Sequence, residues 1–316
     1  SVRSDIDKLV SKQIRVLSAQ AEKLRLEQRK RELNGTLDQA FMTRFDSQSA
    51  IISEQLTEME SRLDDLRRQL EQQGLLIQDM YGDVHKIPLN YALDIWYPNQ
   101  MSLGEKLIHW GKQGWKFLSQ DPRESNSEGG VFPAMFGTVL MVLIMSIIVM
   151  PLGVIAAIYL HEYAKNNAFT RIIRVAVINL AGVPSIVYGV FGLGFFVYTL
   201  GGSIDALFYE ERLPAPTFGT PGLLWSALTL AVLTLPVVIV ATEEGLTRIP
   251  SSVRHGSLAL GATQFETMWR IVLPMASPAI ITGLILAVAR AAGEVAPLML
   301  VGVVKLASSL PVDSQF

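Results

Sequence analysis

The chain has 316 residues, of which 50% are hydrophobic, and its apolar residues are gathered into long blocks, giving a mean hydropathy of +0.32. This composition is typical of an integral membrane protein with a soluble part. The net charge of −2 and the lack of a basic stripe with interleaved aromatics argue against nucleic-acid binding, and the lack of cysteine excludes disulfides, thiolate metal sites and cysteine nucleophiles in these residues.

The N-terminal part, residues 1–130, contains no apolar run near the about 20 residues that a membrane-spanning helix needs, so it is predicted to be soluble. The chain starts at Ser1 with neither an initiator methionine nor a signal-peptide pattern. We therefore expect a segment upstream of Ser1 to be missing from this sequence.

Two stretches within residues 1–80 carry apolar residues in alternating steps of three and four. These residues are Val10, Ile14, Leu17, Ala21 and Leu24, followed by Ile52, Leu56, Met59, Leu63, Leu66 and Leu70. The spacing predicts heptad-rich helices of the coiled-coil type. Asn34-Gly35 predicts a helix stop with a restart at Thr36 or Asp38, which favours an antiparallel hairpin; a single long helix with a local interruption is the alternative.

Residues 81–130 are predicted to form a linker, because Pro88, Pro98, Pro122 and "RESNSEGG" mark loops. Within it, one group of apolar residues predicts a short helix with an apolar face, namely Leu103, Leu107, Ile108, Trp110, Trp115 and Leu118. The tryptophans favour a helix at a membrane interface. An ordinary helix packed on the hairpin is the alternative.

Residues 131–316 contain four apolar segments, near 134–160, 172–200, 221–242 and 275–304, each long enough to cross a hydrocarbon core about 30 Å thick. The predicted fold class is therefore all-α, a polytopic membrane helix bundle preceded by a helical extracytoplasmic region. Prolines inside these segments, at Pro184, Pro236 and Pro297, are expected to break helices along a transport path.

The loops between the segments differ in charge. The connections 161–174 and 243–270 hold three Lys or Arg residues each, whereas 201–220 holds only Arg212. The positive-inside rule places the first two in the cytoplasm and leaves residues 1–130 outside, which requires an earlier crossing upstream of Ser1.

The connection 243–274 has the most specific pattern. "VRHGSLALGA" predicts a short amphipathic helix ended by a glycine at positive φ, with a second helix from Thr263. The stretch resembles the cytoplasmic loop of ATP-binding-cassette importer permeases. In that loop, three residues separate Glu-Ala-Ala from a glycine, and nine residues separate this glycine from Ile-x-Leu-Pro. Gly261, Ile271, Leu273 and Pro274 match this spacing, while the triplet is replaced. A plain connecting loop is the alternative.

By this resemblance, one set of residues is expected to couple the chain to a separate ATPase. The set is His255, Gly256, Ser257, Leu260, Gly261 and Ala262.

Longer motifs resemble the phosphate importer permeases of the A type. They are "FPAMFGTVLM" at 132–141, "NLAGVPSIVYGVFGLGFF" at 179–196, "SLALGAT" at 257–263 and "ARAAGEVAPLML" at 289–300. The resemblance implies a type I importer permease core of six crossings, in a bacterial inner membrane. It also implies a second permease subunit, two copies of an ATP-binding subunit and an extracytoplasmic phosphate-binding protein as partners. ATP and Mg²⁺ are expected on the partner ATPase, with no cofactor, metal or enzymatic activity in this chain.

Arg290 and Glu294 are four residues apart at the end of an apolar segment, so a helix would place them on one face. Ionisable residues at membrane depth usually face a bundle interior or a watery path, and the arginine fork matches phosphate oxygens. We expect the pair to line the substrate path; an ion pair that only fixes helix packing is the alternative. A permease for another oxyanion or small solute remains open. So does a membrane-anchored sensor or scaffold with an active external coiled coil, which would predict featureless apolar helices.

Overall fold

The computed structural model describes residues 5–6, 8–72, 74–88, 96–120, 122–123, 128–165 and 167–302. The chain divides into two compact units, one of residues 1–110 with 210–212 and one of residues 111–209 with 213–316. The end of the last predicted segment, at 303–304, lies outside the described residues.

The secondary structure is dominated by helices. They are α1 Arg15–Leu33, α2 Gln39–Gln72, α3 Leu103–Ser119, α4 Phe132–Ile158, α5 Ala168–Leu180, α6 Ser185–Phe191, α7 Gly202–Phe208, α8 Leu223–Thr247, α9 Ser251–Ala259, α10 Gln264–Thr267, α11 Leu273–Ala292 and α12 Leu298–Val301. Short π-helical stretches lie at Leu9–Ile14, Tyr159–Tyr163, Gly192–Gly201 and Met268–Val272, and a 3₁₀ turn at Glu210–Arg212. The strands are β1 Gly74–Gln78, β2 Val84–Pro88, β3 Pro122–Arg123 and β4 Glu128–Gly129.

Helices α1 and α2 fold back on each other. The chain turns at Asn34-Gly35, where Gly35 has φ +64°, and both α1 and the π-helical stretch Leu9–Ile14 contact α2. The Arg31 guanidinium lies 4.2 Å from the centre of the Phe41 ring beside this turn. Most of the heptad positions are half-buried, and Leu63 is buried, so the apolar stripe is the packing face. Coiled-coil packing geometry and an extracytoplasmic location stay predictions.

A β-hairpin that the sequence did not predict follows α2: β1 lies at the end of residues 1–80, which were assigned to the helical hairpin, and β2 lies in the predicted linker 81–130. β1 and β2 pair antiparallel from Gly74 with Pro88 to Gln78 with Val84. The turn is closed by Asp79, whose carboxylate accepts hydrogen bonds from the amides of Asp83 at 2.9 Å and Tyr81 at 2.8 Å. These bonds, that of Asp83 foremost, hold the pKa of Asp79 below its ordinary value. The two strands are too short to give a periodicity signal, which is why the sequence did not reveal them.

Among the described residues, four helices are long and apolar enough to cross a membrane. They are the first span Phe132–Tyr163, the second span Ser185–Phe208, the third span Leu223–Thr247 and the fourth span Gln264–Ala292. The all-α membrane bundle is therefore confirmed, and two bounds differ from the prediction. The segment 172–200 is divided, because α5 ends at Leu180 and a new helix starts after Pro184. The fourth span begins earlier, at the Thr263 cap, and ends at Ala292.

The third span is the centre of the bundle, and it contacts the first, second and fourth spans. The contacts depend on small residues, because a Cβ at Gly192 would overlap the hydroxyl of Thr229, and one at Gly283 would lie 2.7 Å from the Cβ of Ala241. Close approach of this kind is how helices gain contact in a membrane, where burial of apolar surface gives no net driving force.

The prediction of a helix break at Pro236 is wrong. This proline lies buried inside α8, which runs without interruption from Leu223 to Thr247. Proline removes one backbone donor, but in a membrane bundle packing by neighbouring helices on several sides can maintain the helix.

The loop from Tyr209 to Gly222 is fixed to the second span by a buried carboxylate. Asp205 is 1% exposed and accepts hydrogen bonds from the amides of Phe218 at 2.9 Å and Gly219 at 2.6 Å. The indole of Trp225, at the start of the third span, donates to the carbonyl of Phe218 at 2.7 Å. These bonds fasten the ends of the second and third spans to the same loop residue.

The packing of the second span against the third predicts different effects for two neighbouring glycines. Gly192→Ala should lower the melting temperature of the purified complex, because the new methyl group must displace Thr229, at a cost of about 1 to 3 kcal/mol. Gly194→Ala is the matched control, since no atom lies within 4 Å of the position of its Cβ. Equal melting temperatures for the two variants would contradict the close-packed interface.

Candidate functional site

The two charged residues at the end of the fourth span form an ion pair. The Nε of Arg290 lies 3.7 Å from the Oε1 of Glu294, and the side chains are 30% and 18% exposed. They do not share a continuous helix as predicted, because α11 ends at Ala292 and Glu294 follows the Gly293 turn, where its amide donates to the carbonyl of Ala291 at 3.2 Å. At 3.7 Å the pair is looser than a direct hydrogen bond, so the arginine keeps donors for another oxyanion.

Two interruptions of the helices meet near this pair. A Cβ at Gly189 would lie 2.8 Å from the Cα of Pro297, so the chain after the fourth span packs directly on the helix that begins after Pro184. Tyr188, the residue before this glycine, is buried, and its hydroxyl donates to the carbonyl of Leu180 at 2.7 Å. New helices begin directly after Pro184 and Pro297, and a role of these breaks in a transport path stays a prediction. Glu294 lies three residues before Pro297, so the ion pair and the contact between Gly189 and Pro297 are close along the chain.

The connection between the third and fourth spans has the predicted form. Helix α9 is followed by Gly261 with φ +89°, and Thr263 then caps the fourth span by a capping box with Glu266. A residue with a Cβ is strained at such a φ, so the glycine is required by the turn itself. The connection thus has the predicted helix–turn–helix form, and its coupling role stays a prediction.

The predicted coupling residues divide into two groups. His255, Gly256 and Gly261 are exposed, and Leu260 is 92% exposed. Ser257 is buried instead, and its hydroxyl lies 2.9 Å from that of Thr267, so it holds α9 against the start of the fourth span. Ala262 is half-buried.

Two exposed aromatic residues extend this surface, and the sequence analysis did not identify them. Phe265 and Trp269 stack with ring centres 6.3 Å apart and an interplanar angle of 9°. Their spacing of four residues, just after the glycine turn, is the sequence pattern that could have indicated an aromatic pair on one helix face. Leu260, Phe265 and Trp269 together give the connection an exposed apolar surface.

An ion pair attaches α9 to the rest of the bundle, and the sequence did not predict it either. The guanidinium of Arg254 lies 2.8 Å from the Oε1 of Glu162 at the end of the first span, and it donates to the carbonyl of Leu246 at 2.8 Å. Arg254 and Glu162 are far apart in sequence, so spacing could not reveal the pair. Arg254 thereby connects α9 to both the first and the third span.

A second arginine makes a parallel connection at the same end of the third span. The Nε of Arg174 on α5 lies 3.7 Å from the Oε1 of Glu243, and its guanidinium donates to the carbonyl of Leu160. These two residues border a cavity of about 400 Å³ between α5 and the third span. The cavity is lined by side chains of both signs, because Glu244 and Arg248 also border it.

Comparison with known families gives one match. Residues 149–310, just over half of the chain, match the family described as "Binding-protein-dependent transport system inner membrane component". The chain belongs to this family. Its members are membrane components of transport systems, which agrees with the four apolar helices and places the chain among multi-pass inner membrane proteins.

Curated relatives of this membrane component include three from distant organisms. "Phosphate transport system permease protein PstA 1" of Mycobacterium tuberculosis is 38% identical over 175 residues, covering 55% of this chain and 52% of the relative. "Probable ABC transporter permease protein YqgI" of Bacillus subtilis is 33% identical, covering 58% and 57%. "Probable phosphate transport system permease protein PstA" of Methanocaldococcus jannaschii is 31% identical, covering 55% of each. The chain spans about half the length of the curated relatives it matches.

The attachment of α9 can be tested with a double-mutant cycle. Arg254→Ala leaves the half-buried Glu162 without its partner, which should lower the free energy of unfolding of the purified complex by about 1 to 3 kcal/mol. Glu162→Gln should cost a similar amount, and the double variant less than the sum of the two, because both remove the same interaction. Arg248→Ala, at an exposed position, is the control. Strictly additive losses would contradict the ion pair.

Proposed function

We propose that this chain is the permease subunit of an ATP-driven importer for inorganic phosphate. It forms half of the translocation path, and a second permease subunit forms the other half. The observation that carries the proposal is the Arg290–Glu294 pair beside the contact between Gly189 and Pro297. The family is one of transport-system membrane components, and several relatives are named for phosphate transport.

The charged pair suits a substrate path better than a packing role. A dry structural ion pair is usually well satisfied, because burying a charge without full pairing costs free energy. Arg290 and Glu294 are only partly covered and stand 3.7 Å apart. A phosphate oxygen can therefore accept hydrogen bonds from the guanidinium while Glu294 moves aside. The arginine stays charged at every relevant pH.

The exposed apolar surface of the connection supports coupling to a partner ATPase. Two copies of an ATP-binding subunit, with ATP and Mg²⁺, would dock where Leu260, Phe265 and Trp269 are exposed. Closure of the ATPase dimer would push α9, and the Arg254–Glu162 pair would pass this motion to the first span. On this proposal the connection is cytoplasmic, residues 1–130 are extracytoplasmic, and an external phosphate-binding protein delivers the substrate.

Substitution of Arg290 tests the path. Arg290→Lys keeps the charge but loses the bidentate fork, so uptake of radiolabelled phosphate by the complete complex in membranes should fall by about tenfold or more. Uptake is normalised to assembled complex. Excess unlabelled sulfate should not compete; strong competition would point to a permease for another oxyanion.

Two further variants separate the path from packing. Glu294→Gln should change phosphate uptake while the complex still assembles, since a guanidinium facing a watery path stays solvated without its counter-charge. Arg171→Lys, at an exposed position on α5, is the matched control and should transport normally. If complex and uptake were lost in proportion for both Arg290→Lys and Glu294→Gln, the pair would be structural and the path assignment refuted.

Coupling is tested at Gly261. In Gly261→Val, a β-branched residue must adopt the φ of +89°, which costs about 1 to 2 kcal/mol. The variant should show reduced phosphate-stimulated ATP hydrolysis and uptake while the subunit still reaches the membrane. Gly261→Asn is the matched control, because asparagine tolerates positive φ better than a β-branched residue. Wild-type coupling in Gly261→Val would show that this turn is only a linker.

A further inference from the structure

Helix α3 has two sharply different faces. Its apolar residues fall within one half of the helix circumference, and its charged and amide residues fall within the other half. The apolar set is Leu103, Leu107, Ile108, Trp110, Trp115, Phe117 and Leu118. The polar set is Glu105, Lys106, His109, Lys112, Gln113 and Lys116.

The burial of these faces is the reverse of what a water-soluble helix shows. All seven apolar side chains are exposed, by between 46% and 81%. The half-buried positions are His109, Gln113 and Lys116, which lie on the polar face, and the His109 ring packs against Trp96 with centres 5.0 Å apart. A soluble helix covers its apolar stripe and leaves its polar face in water. An apolar face of this size therefore needs a cover that the chain itself does not provide within its described residues.

The end of α3 is tied to the beginning of the first span. The amide of Val131, the residue before α4, donates to the carbonyl of Phe117 at 2.9 Å. Strands β3 and β4 pair between the two helices, and Gly130 fits so closely against Gln120 that a Cβ there would overlap the carbonyl of that residue. The last turn of α3 is therefore held at the point where the first span starts, next to its exposed Phe132.

The polar face has the charge that suits a membrane surface. Lys106 and Lys112 are exposed, whereas the one acidic residue of the helix, Glu105, is used as a cap. Its carboxylate accepts from the amide of Ser102 at 2.8 Å and from the hydroxyl of Ser102 at 2.9 Å. These bonds hold the pKa of Glu105 below its ordinary value. The helix thus combines tryptophans and leucines on one face with lysines on the other, the composition of helices that lie in a lipid interface.

We propose that α3 lies on the lipid surface at the end of the first span, with its apolar face inserted among the acyl chains. The occupant of this face is phospholipid, and the lysines contact anionic headgroups. The connection from Phe117 to Val131 is the observation that selects lipid over a protein partner, because it holds the helix where the first span enters the membrane. Trp110 and Trp115 fit this position, since their rings favour the boundary between headgroups and acyl chains.

The test is a cysteine scan of α3 in the full-length protein within the complete complex. These 316 residues contain no cysteine, and any cysteine elsewhere in the complex is replaced by serine, so that a single nitroxide label can be placed at each position from 103 to 119. The complex is reconstituted into vesicles of phosphatidylethanolamine with phosphatidylglycerol. Label collisions are measured with molecular oxygen, which concentrates in acyl chains, and with a water-soluble nickel chelate.

The oxygen-to-nickel ratio should rise and fall with the helical period of about 3.6 residues. It should be at least about threefold higher at positions 107, 110 and 118 than at the matched control positions 106 and 112, because the latter face headgroups and water. Vesicles without phosphatidylglycerol should lower the ratio at 107, and unchanged values there would overturn the role of anionic headgroups.

Two outcomes overturn the lipid proposal. Nickel-dominated collisions at 107, 110 and 118 would show that the face lies in water. Protection of these positions from both reagents would show that a protein surface, such as a second permease subunit, covers the helix. Phosphate uptake by the same labelled complexes is recorded in parallel, so a defect in transport is distinguished from a misplaced helix.

Discussion

The bundle depends on the close approach of its neighbours to the third span. Lipid chains are as apolar as leucine, so helices in a membrane gain little by hiding apolar surface from them. Contact must come from surfaces that fit, and Gly192 and Gly283 supply these surfaces where a methyl group would collide with Thr229 or Ala241. The same contacts fix the second and fourth spans against one core. The ion pair and the contact between Gly189 and Pro297 can therefore keep a defined position although the local helices are interrupted.

The charged groups lie at two levels of this bundle and have different surroundings. Arg290 and Glu294 are loosely paired where the chain leaves the fourth span. Arg254 and Glu162 are 2.8 Å apart, and the arginine also binds the carbonyls of Leu246 and Ile249. On the proposed function, the guanidinium of the first pair would exchange the carboxylate for a phosphate oxygen. In the second arrangement the arginine is anchored by backbone carbonyls, whereas the buried Oε1 of Glu162 has no hydrogen-bond partner among the described residues and is held only by the short ionic contact.

Local chemistry made part of the structure predictable from the sequence. The length of the apolar blocks predicted the membrane spans, and the heptad spacing predicted the packing face of the N-terminal helices. The glycine at the end of a short amphipathic pattern predicted the turn at Gly261. Relations across the chain were not predictable in this way. Pro236 stays helical because of its neighbours, Ser257 is buried by Thr267, and Arg254 finds a partner 92 positions earlier in the sequence. A residue's role in each of these cases is set by tertiary contact, which spacing does not encode.

The buried carboxylate of Asp205 has a consequence for what the loop after the second span can tolerate. Because Phe218 and Gly219 donate hydrogen bonds to the Asp205 carboxylate and Trp225 donates one to the carbonyl of Phe218, the base of the loop is held by bonds that do not involve its exposed tip. Lengthening a loop whose ends are already fixed costs only about 0.6 kcal/mol for each doubling of its length. The exposed residues Leu213, Pro214 and Ala215 can thus accept an inserted tag while the ends of both spans keep their register.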